Sequence, residues 1–193
     1  MRDQIIAVTV LGRDRPGIVA DVTGALADLH GNLQDSTMTL LRGHVAMVLL
    51  VHTGAGADAV EAALRPLCVG GSLVINARLL GDPAPSEVRG PSYALRVHGA
   101  DRSGIVATIT AVVARHGANI VDLCTRLVDG LYVLMAELEL PSRASAVGLE
   151  VELQGAADEL GVEVRLWPID DDLRRGRQCD STGAPWRGLQ VGP

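Results

Sequence analysis

The stretch Gly12–Ala20 (GRDRPGIVA) returns 87 residues later as Gly99–Ala107 (GADRSGIVA). The register then holds without a gap: Thr23 lies on Thr110, Asn32 on Asn119, Asp35 on Asp122, Leu40 on Leu127 and Gly43 on Gly130. A match kept in one register over about 40 residues identifies a duplicated unit of about 80 residues, which settles the architecture before any element is assigned. The segment Gly81–Pro91 holds three prolines and two glycines and reads as a linker. The expected organisation is therefore unit one over 1–80, a linker over 81–91, unit two over 92–169 and a C-terminal tail over 170–193. After Asp170–Asp172 that tail passes through the basic cluster Arg174–Arg177 into a stretch without periodicity, which predicts mobility.

Each unit reads strand, helix, strand, strand, helix, strand. In the first strand of unit two Leu95 and Val97 alternate with Arg96 and His98, the period of a half-buried strand, and the same register turns Val8 and Val10 inward in unit one. The helix that follows carries a stripe of Ile105, Val106, Ile109, Val112, Val113 and His116, matched by Ile18, Val19, Val22, Leu26 and Leu29. Strand two, from about residue 32 to 42, turns at Gly43 into a third strand, and Asp129-Gly130 makes the same hairpin in unit two. In the second helix of unit two, Leu149, Leu153, Ala157 and Leu160 recur on one side before Gly161 ends it. In unit one Pro66 predicts a stop or kink near Arg65. This order gives an α+β fold of two ferredoxin-like units. Each is a four-stranded antiparallel sheet with two helices on one face.

Composition narrows function mainly by exclusion. All 17 cations are Arg, so a Schiff-base lysine and a phosphate loop ending in Gly-Lys-Ser/Thr are excluded. A net charge of −6 gives no long-range attraction for a phosphate backbone, and nucleic acid is not expected as a direct partner. Cys68, Cys124 and Cys179 lack CxxC spacing, and no apolar run reaches membrane-spanning length. The chain therefore reads as cytoplasmic, with no membrane partner. The five His residues show no ligand spacing with one another or with Cys, and no GxSxG stands in the sequence. Neither a metal, a cofactor nor a catalytic residue is expected. Cys124 reads as a half-buried filler, and His44 and His98 as polar residues at strand ends.

One chemically pointed feature occurs twice. Asp14-Arg15-Pro16-Gly17 and Asp101-Arg102-Ser103-Gly104 join strand one to helix one. Asp14 and Asp101 are expected to cap the helix by accepting from the Gly17 or Gly104 amide. The glycines would let a ligand approach the backbone. The amides at Ile18 and Val19, or Ile105 and Val106, would be unpaired donors at a positive helix end, suited to a carboxylate. Fifteen residues after each glycine stands an Asn, at Asn32 and Asn119.

Asp-Arg-Pro-Gly-Ile-Val followed by Leu-His-Gly-Asn-Leu, and Asp-Arg-Ser-Gly-Ile-Val followed by His-Gly-Ala-Asn-Ile, resemble the signature of ACT domains over about residues 4–169. The tandem arrangement resembles the glycine cleavage system transcriptional repressor group. Ser103, where the family usually has Pro, is a departure that loosens the preset helix entry. The resemblance implies βαββαβ modules that bind amino acids and regulate metabolic proteins. It implies ligand contacts at Asp14, Arg15, Gly17, Ile18 and Asn32, and at Asp101, Arg102, Gly104, Ile105 and Asn119. A first helix of about 14 residues, roughly 20 Å, would keep loop and Asn of one unit apart. Head-to-tail pairing would then set the Asp14 loop against Asn119 and the Asp101 loop against Asn32, the paired units being the halves of one chain or units of two chains. Glycine or serine is the ligand that the resemblance favours. A protein partner such as a transcription regulator would receive the signal. The alternative is a regulatory ACT fragment related to the front of formyltetrahydrofolate deformylase or phosphoserine phosphatase. Those enzymes need a further catalytic domain, and the 24 residues after unit two favour the first reading.

The outer sheet faces differ. In unit two Arg96, His98, Glu137, Glu139, Glu163 and Arg165 fall on the face away from the helices and read as solvated. In unit one that register gives Ala7, Thr9, Val48 and Leu50, flanked by Asn76 and Arg78, which is apolar enough to expect a homodimer through this face.

Overall fold

A computed structural model of the protein describes residues 4–81 and 90–169. Most of the expected linker, the whole tail and Cys179 lie outside them. Unit one comprises β1 (Gln4–Arg13), α1 (Ile18–Asp28), β2 (Asn32–Leu41), β3 (His44–Thr53), α2 (Ala57–Leu64), a 3-10 turn (Arg65–Gly71) and β4 (Leu73–Leu79). Unit two comprises β5 (Ser92–Ala100), α3 (Ile105–Arg115), β6 (Asn119–Val128), β7 (Leu131–Glu139), α4 (Ser145–Leu160) and β8 (Val162–Pro168). The sheets are antiparallel with strand orders β2-β3-β1-β4 and β6-β7-β5-β8, the ferredoxin-like pattern in both halves.

The period-two and helical stripes fill two separate cores. Val8, Val10, Ile18, Val22, Leu26, Val60 and Leu64 are buried in unit one; Leu95, Val97, Ile105, Ile109, Leu149 and Leu153 are buried in unit two. Val19 departs from its expected stripe and is 44% exposed, because it sits on the side of α1 facing the open edge strand. The hairpin turns place Arg42-Gly43 and Asp129-Gly130 at positive φ in pairs, the backbone that two-residue hairpins require. Pro66 opens the 3-10 turn directly after α2, as its missing N–H and ring dictate. Gly161 takes the left-handed position that ends α4.

On the outer face of unit one, β2, β3, β1 and β4 align Asp35–Leu50–Ala7–Arg78 in one row, with Val48 beside Thr9 and Ala46 beside Leu11 in the next two. Leu11 and Val74 on this face are more than half exposed. The corresponding face of unit two is charged as expected but not uniformly solvated: Ser92 and Ala94 are only 3% and 1% exposed. Ala94 is a small residue set between the larger Glu137 and Trp167 on the adjoining strands.

Candidate functional site

The loop between β1 and α1 is fixed from both sides by the sheet. The Arg13 amide donates to the Ser72 carbonyl (3.0 Å) and the Asp14 amide to the Gly43 carbonyl (2.9 Å), so the hairpin turn and the start of β4 both hold it. Gly12 and Gly99, just before the two loops, lie so close to β4 and β8 that a Cβ would collide with Leu73 or Val162. Both first helices then start in the same unusual way. Gly17 (φ 85°) and Gly104 (φ 97°) occupy the N-cap position in the left-handed region, and no side chain caps either helix. The expected caps from Asp14 and Asp101 are therefore not made: the turn through Pro16 and Gly17, and its counterpart, separates the carboxylates from the first helical amides. A Cβ added at Gly17 or Gly104 would meet nothing within 4 Å, so the space in front of each helix end is open.

The amides behave differently from the expectation at one position. Ile18 donates to the Arg15 carbonyl at 3.3 Å, so that donor is partly occupied. The first bond within the helical register is Asp21 to Gly17 (2.9 Å), leaving Val19 and Ala20 without a backbone carbonyl, as helix geometry requires. The Ile18 and Ile105 side chains are buried in the cores, so only their backbones face the loop side.

Asp14, Arg15, Gly17 and Ile18 come together along an open depression of about 600 Å³, completed by Pro16, Val19, Ala20, Thr23 and Met38. Met38 was not anticipated. It pairs with the buried Met47, which puts it on the helix side of β2, and carrying the period-two reading into β2 finds it. The guanidinium of Arg15 is drawn onto Asp21 of its own helix (2.7 Å). Arg102 instead crosses to α4 and donates to the Leu160 carbonyl (3.1 Å), a cation at a helix C-terminus.

Asn32 and Asn119 do not join the loops of their own units. α1 and α3 are 11 residues each, shorter than expected, yet about 16 Å still separates their ends. Each Asn opens an edge strand and is exposed, and directly after it the register slips, between Leu33 and Asp35 and between Ile120 and Asp122. A bulge at this place in both units re-aims the strand beside the Asn. Among the described residues no group of His, Cys, Asp and Glu is arranged to hold a metal, and no helix is long and apolar enough to cross a membrane.

A model of the ACT domain matches residues 4–73 and again 94–166. The chain belongs to the ACT domain family. It is built from two ACT units, each with the strand-to-helix loop just described. A solved protein of unknown role from Galdieria sulphuraria is 31% identical with a TM-score of 0.75, the match covering 88% of this chain and 100% of that one. A "putative glycine cleavage system transcriptional repressor" shares the fold at 18% identity and a TM-score of 0.65, covering 89% of this chain and all of its own. A UPF0237 protein from Methanopyrus kandleri is 52% identical over 44 residues, and one from Lactococcus lactis 46% over 46 residues. These stretches are 23% and 24% of this chain, and the chain spans about half the length of the curated relatives it matches, 49% and 53%.

Proposed function

We propose that the chain is a non-catalytic cytoplasmic regulator whose two ACT domains, 1–80 and 92–169, bind a small amino acid, glycine or serine. The observation that carries this reading is the pair of uncapped helix N-termini at Gly17 and Gly104, each with open space where a side chain would stand. A carboxylate placed there meets amides that the chain leaves unpaired, at the positive end of a helix. Asp14 or Asp101 would take the ligand's amino group together with Asn119 or Asn32 of an opposing unit, since no unit reaches both ends of its own first helix. Arg15 lines the depression of unit one, while Arg102 of unit two is engaged at the Leu160 carbonyl. The signal would pass to a protein partner such as a transcription regulator, not to DNA.

Calorimetry of the full chain against the twenty amino acids tests the reading. At least one should bind, and Asn32→Ala or Asn119→Ala should weaken it about 10- to 100-fold for each charged hydrogen bond lost. Gly17→Val and Gly104→Val should block the approach by filling the open space. If none of the twenty binds, or the double Asn variant stays folded and binds equally well, the site is wrong.

A further inference from the structure

The outer sheet face of unit one points to a second copy of this chain as its partner, and this inference stands apart from the ligand reading. Val48, Leu11 and Val74 on this face are 43%, 55% and 68% exposed, a contiguous apolar surface of the kind that marks an interaction site. Across one row the side chains run Asp35, Leu50, Ala7, Arg78, with the acid on β2 at one edge and the base on β4 at the other. Among the described residues neither charge is in an ion pair; one Asp35 oxygen accepts from the Ser36 amide at 2.8 Å and the other is available.

A row with acid and base at opposite ends is complementary to itself when turned over. We propose that two copies pack sheet on sheet about a twofold axis that runs along the strands in the plane of contact. That rotation exchanges β2 with β4 and β3 with β1. Asp35 then faces Arg78 of the second copy, and Leu50 faces Ala7. In the third row Leu11 faces Ala46, large against small again. Rotation about the perpendicular in-plane axis keeps β2 over β2 and leaves both charges without a partner. Packed sheets lie about 10 Å apart, within reach of an Arg–Asp pair at the rim. Four strands at about 4.8 Å spacing, over some 20 Å of their length, give a total buried surface of roughly 800 Å² across the two copies. This is the size of a weak, transient interface. The dimer should therefore dissociate on dilution, in the micromolar range.

Light scattering and sedimentation of the full chain across a dilution series provide the test, with melting curves confirming that each variant is folded. The wild type should be dimeric at high concentration, and Val48→Arg, at an exposed position, should make it monomeric. Asp35→Arg alone should weaken association at least about tenfold, because the twofold axis places two like-charge pairs in one interface. Adding Arg78→Asp should restore it. A strict monomer at every concentration, or a dimer indifferent to Val48→Arg, overturns the proposal. A double charge swap no tighter than Asp35→Arg alone overturns the axis and with it the pairing of Asp35 with Arg78.

Discussion

In unit one the second helix stops after eight residues, at Leu64, and Pro66 passes the chain into a 3-10 turn; in unit two α4 runs 16 residues to Gly161. The two halves begin from one motif and keep one sheet topology, yet they secure the far end of the first helix by different chemistry. In unit one the buried Thr53 hydroxyl donates to the Leu29 carbonyl at 3.1 Å and accepts from the Ala55 amide at 3.1 Å. In unit two Leu140, 87 residues on, can only pack there, and the tie comes from α4 instead. Glu152 accepts from Arg115 and from His116 (2.7 Å), joining α3 to α4. Counting from the core positions Val60 and Leu149, Ala63 stands in unit one where Glu152 stands in unit two, so α2 offers α1 no carboxylate there. After duplication the sheet and the loop are held to one geometry by packing, while the helix-to-helix ties are free to diverge.

The largest expected effect tests whether α2, though short, is as much a core element as α4. Leu64 and Leu153 are both fully buried, and replacing either with Ala should cost about 2–5 kcal/mol, measured by urea unfolding. Leu153→Ala should cost more, since its unbroken helix can relax less into the cavity than the end of α2. A cost for Leu64→Ala no greater than that of a surface change would break the equivalence of the two helices.

Next is Thr53→Val, which removes a buried hydroxyl and leaves the Leu29 carbonyl and Ala55 amide without it, at a cost of about 1–3 kcal/mol. Gly17→Ala and Gly104→Ala come third and serve as the symmetric control. Neither added methyl meets an atom, so the loss comes from the left-handed backbone alone, about 1–2 kcal/mol in each unit. Unequal losses would show that the two loops are not held alike.

The repeat made the topology legible, because a 3.6-residue stripe and a two-residue alternation in fixed order admit few folds. Val8, Val10, Leu95 and Val97 are buried where the alternation puts them. Pro66 and Gly161 act where backbone rules place them. The site was legible only as a place. That Asp14 and Asp101 leave the helix uncapped depends on the turn at Pro16–Gly17 and its counterpart, a three-dimensional detail that Asp-x-x-Gly does not encode. Ser92 and Ala94 are buried although the alternation puts them on the outer face, and single-strand periodicity says nothing of what surrounds that face. The destinations of Arg15 and Arg102 are equally hidden. Identical residues at equivalent positions follow the nearest partner, Asp21 in one unit and a helix end in the other.

The smallest effect is the most specific to unit two. Hydrogen bonds from Arg115 first, and from His116 second, hold the Glu152 carboxyl below its ordinary value of 4.5. A carboxylate whose pKa is depressed by folding stabilises the fold above its unfolded value, and that contribution fades as the pH falls through the folded one. The wild type should thus melt slightly above Glu152→Gln at neutral pH, and the two melting curves should begin to converge as the pH drops below about 4.5 and meet below the folded value. Because the Arg115 and Glu152 side chains are 58% and 41% exposed, added salt should shrink the neutral-pH difference as well. Ala63→Glu, which sets a carboxylate at the matching place in unit one, should give no comparable pH-dependent gain. Asp28 and Leu29 stand where unit two has Arg115 and His116, so neither donor is there to receive it. A difference between wild type and Glu152→Gln that persists unchanged into acid would mean that Glu152 acts through packing, and the electrostatic half of the contrast between the units would fall.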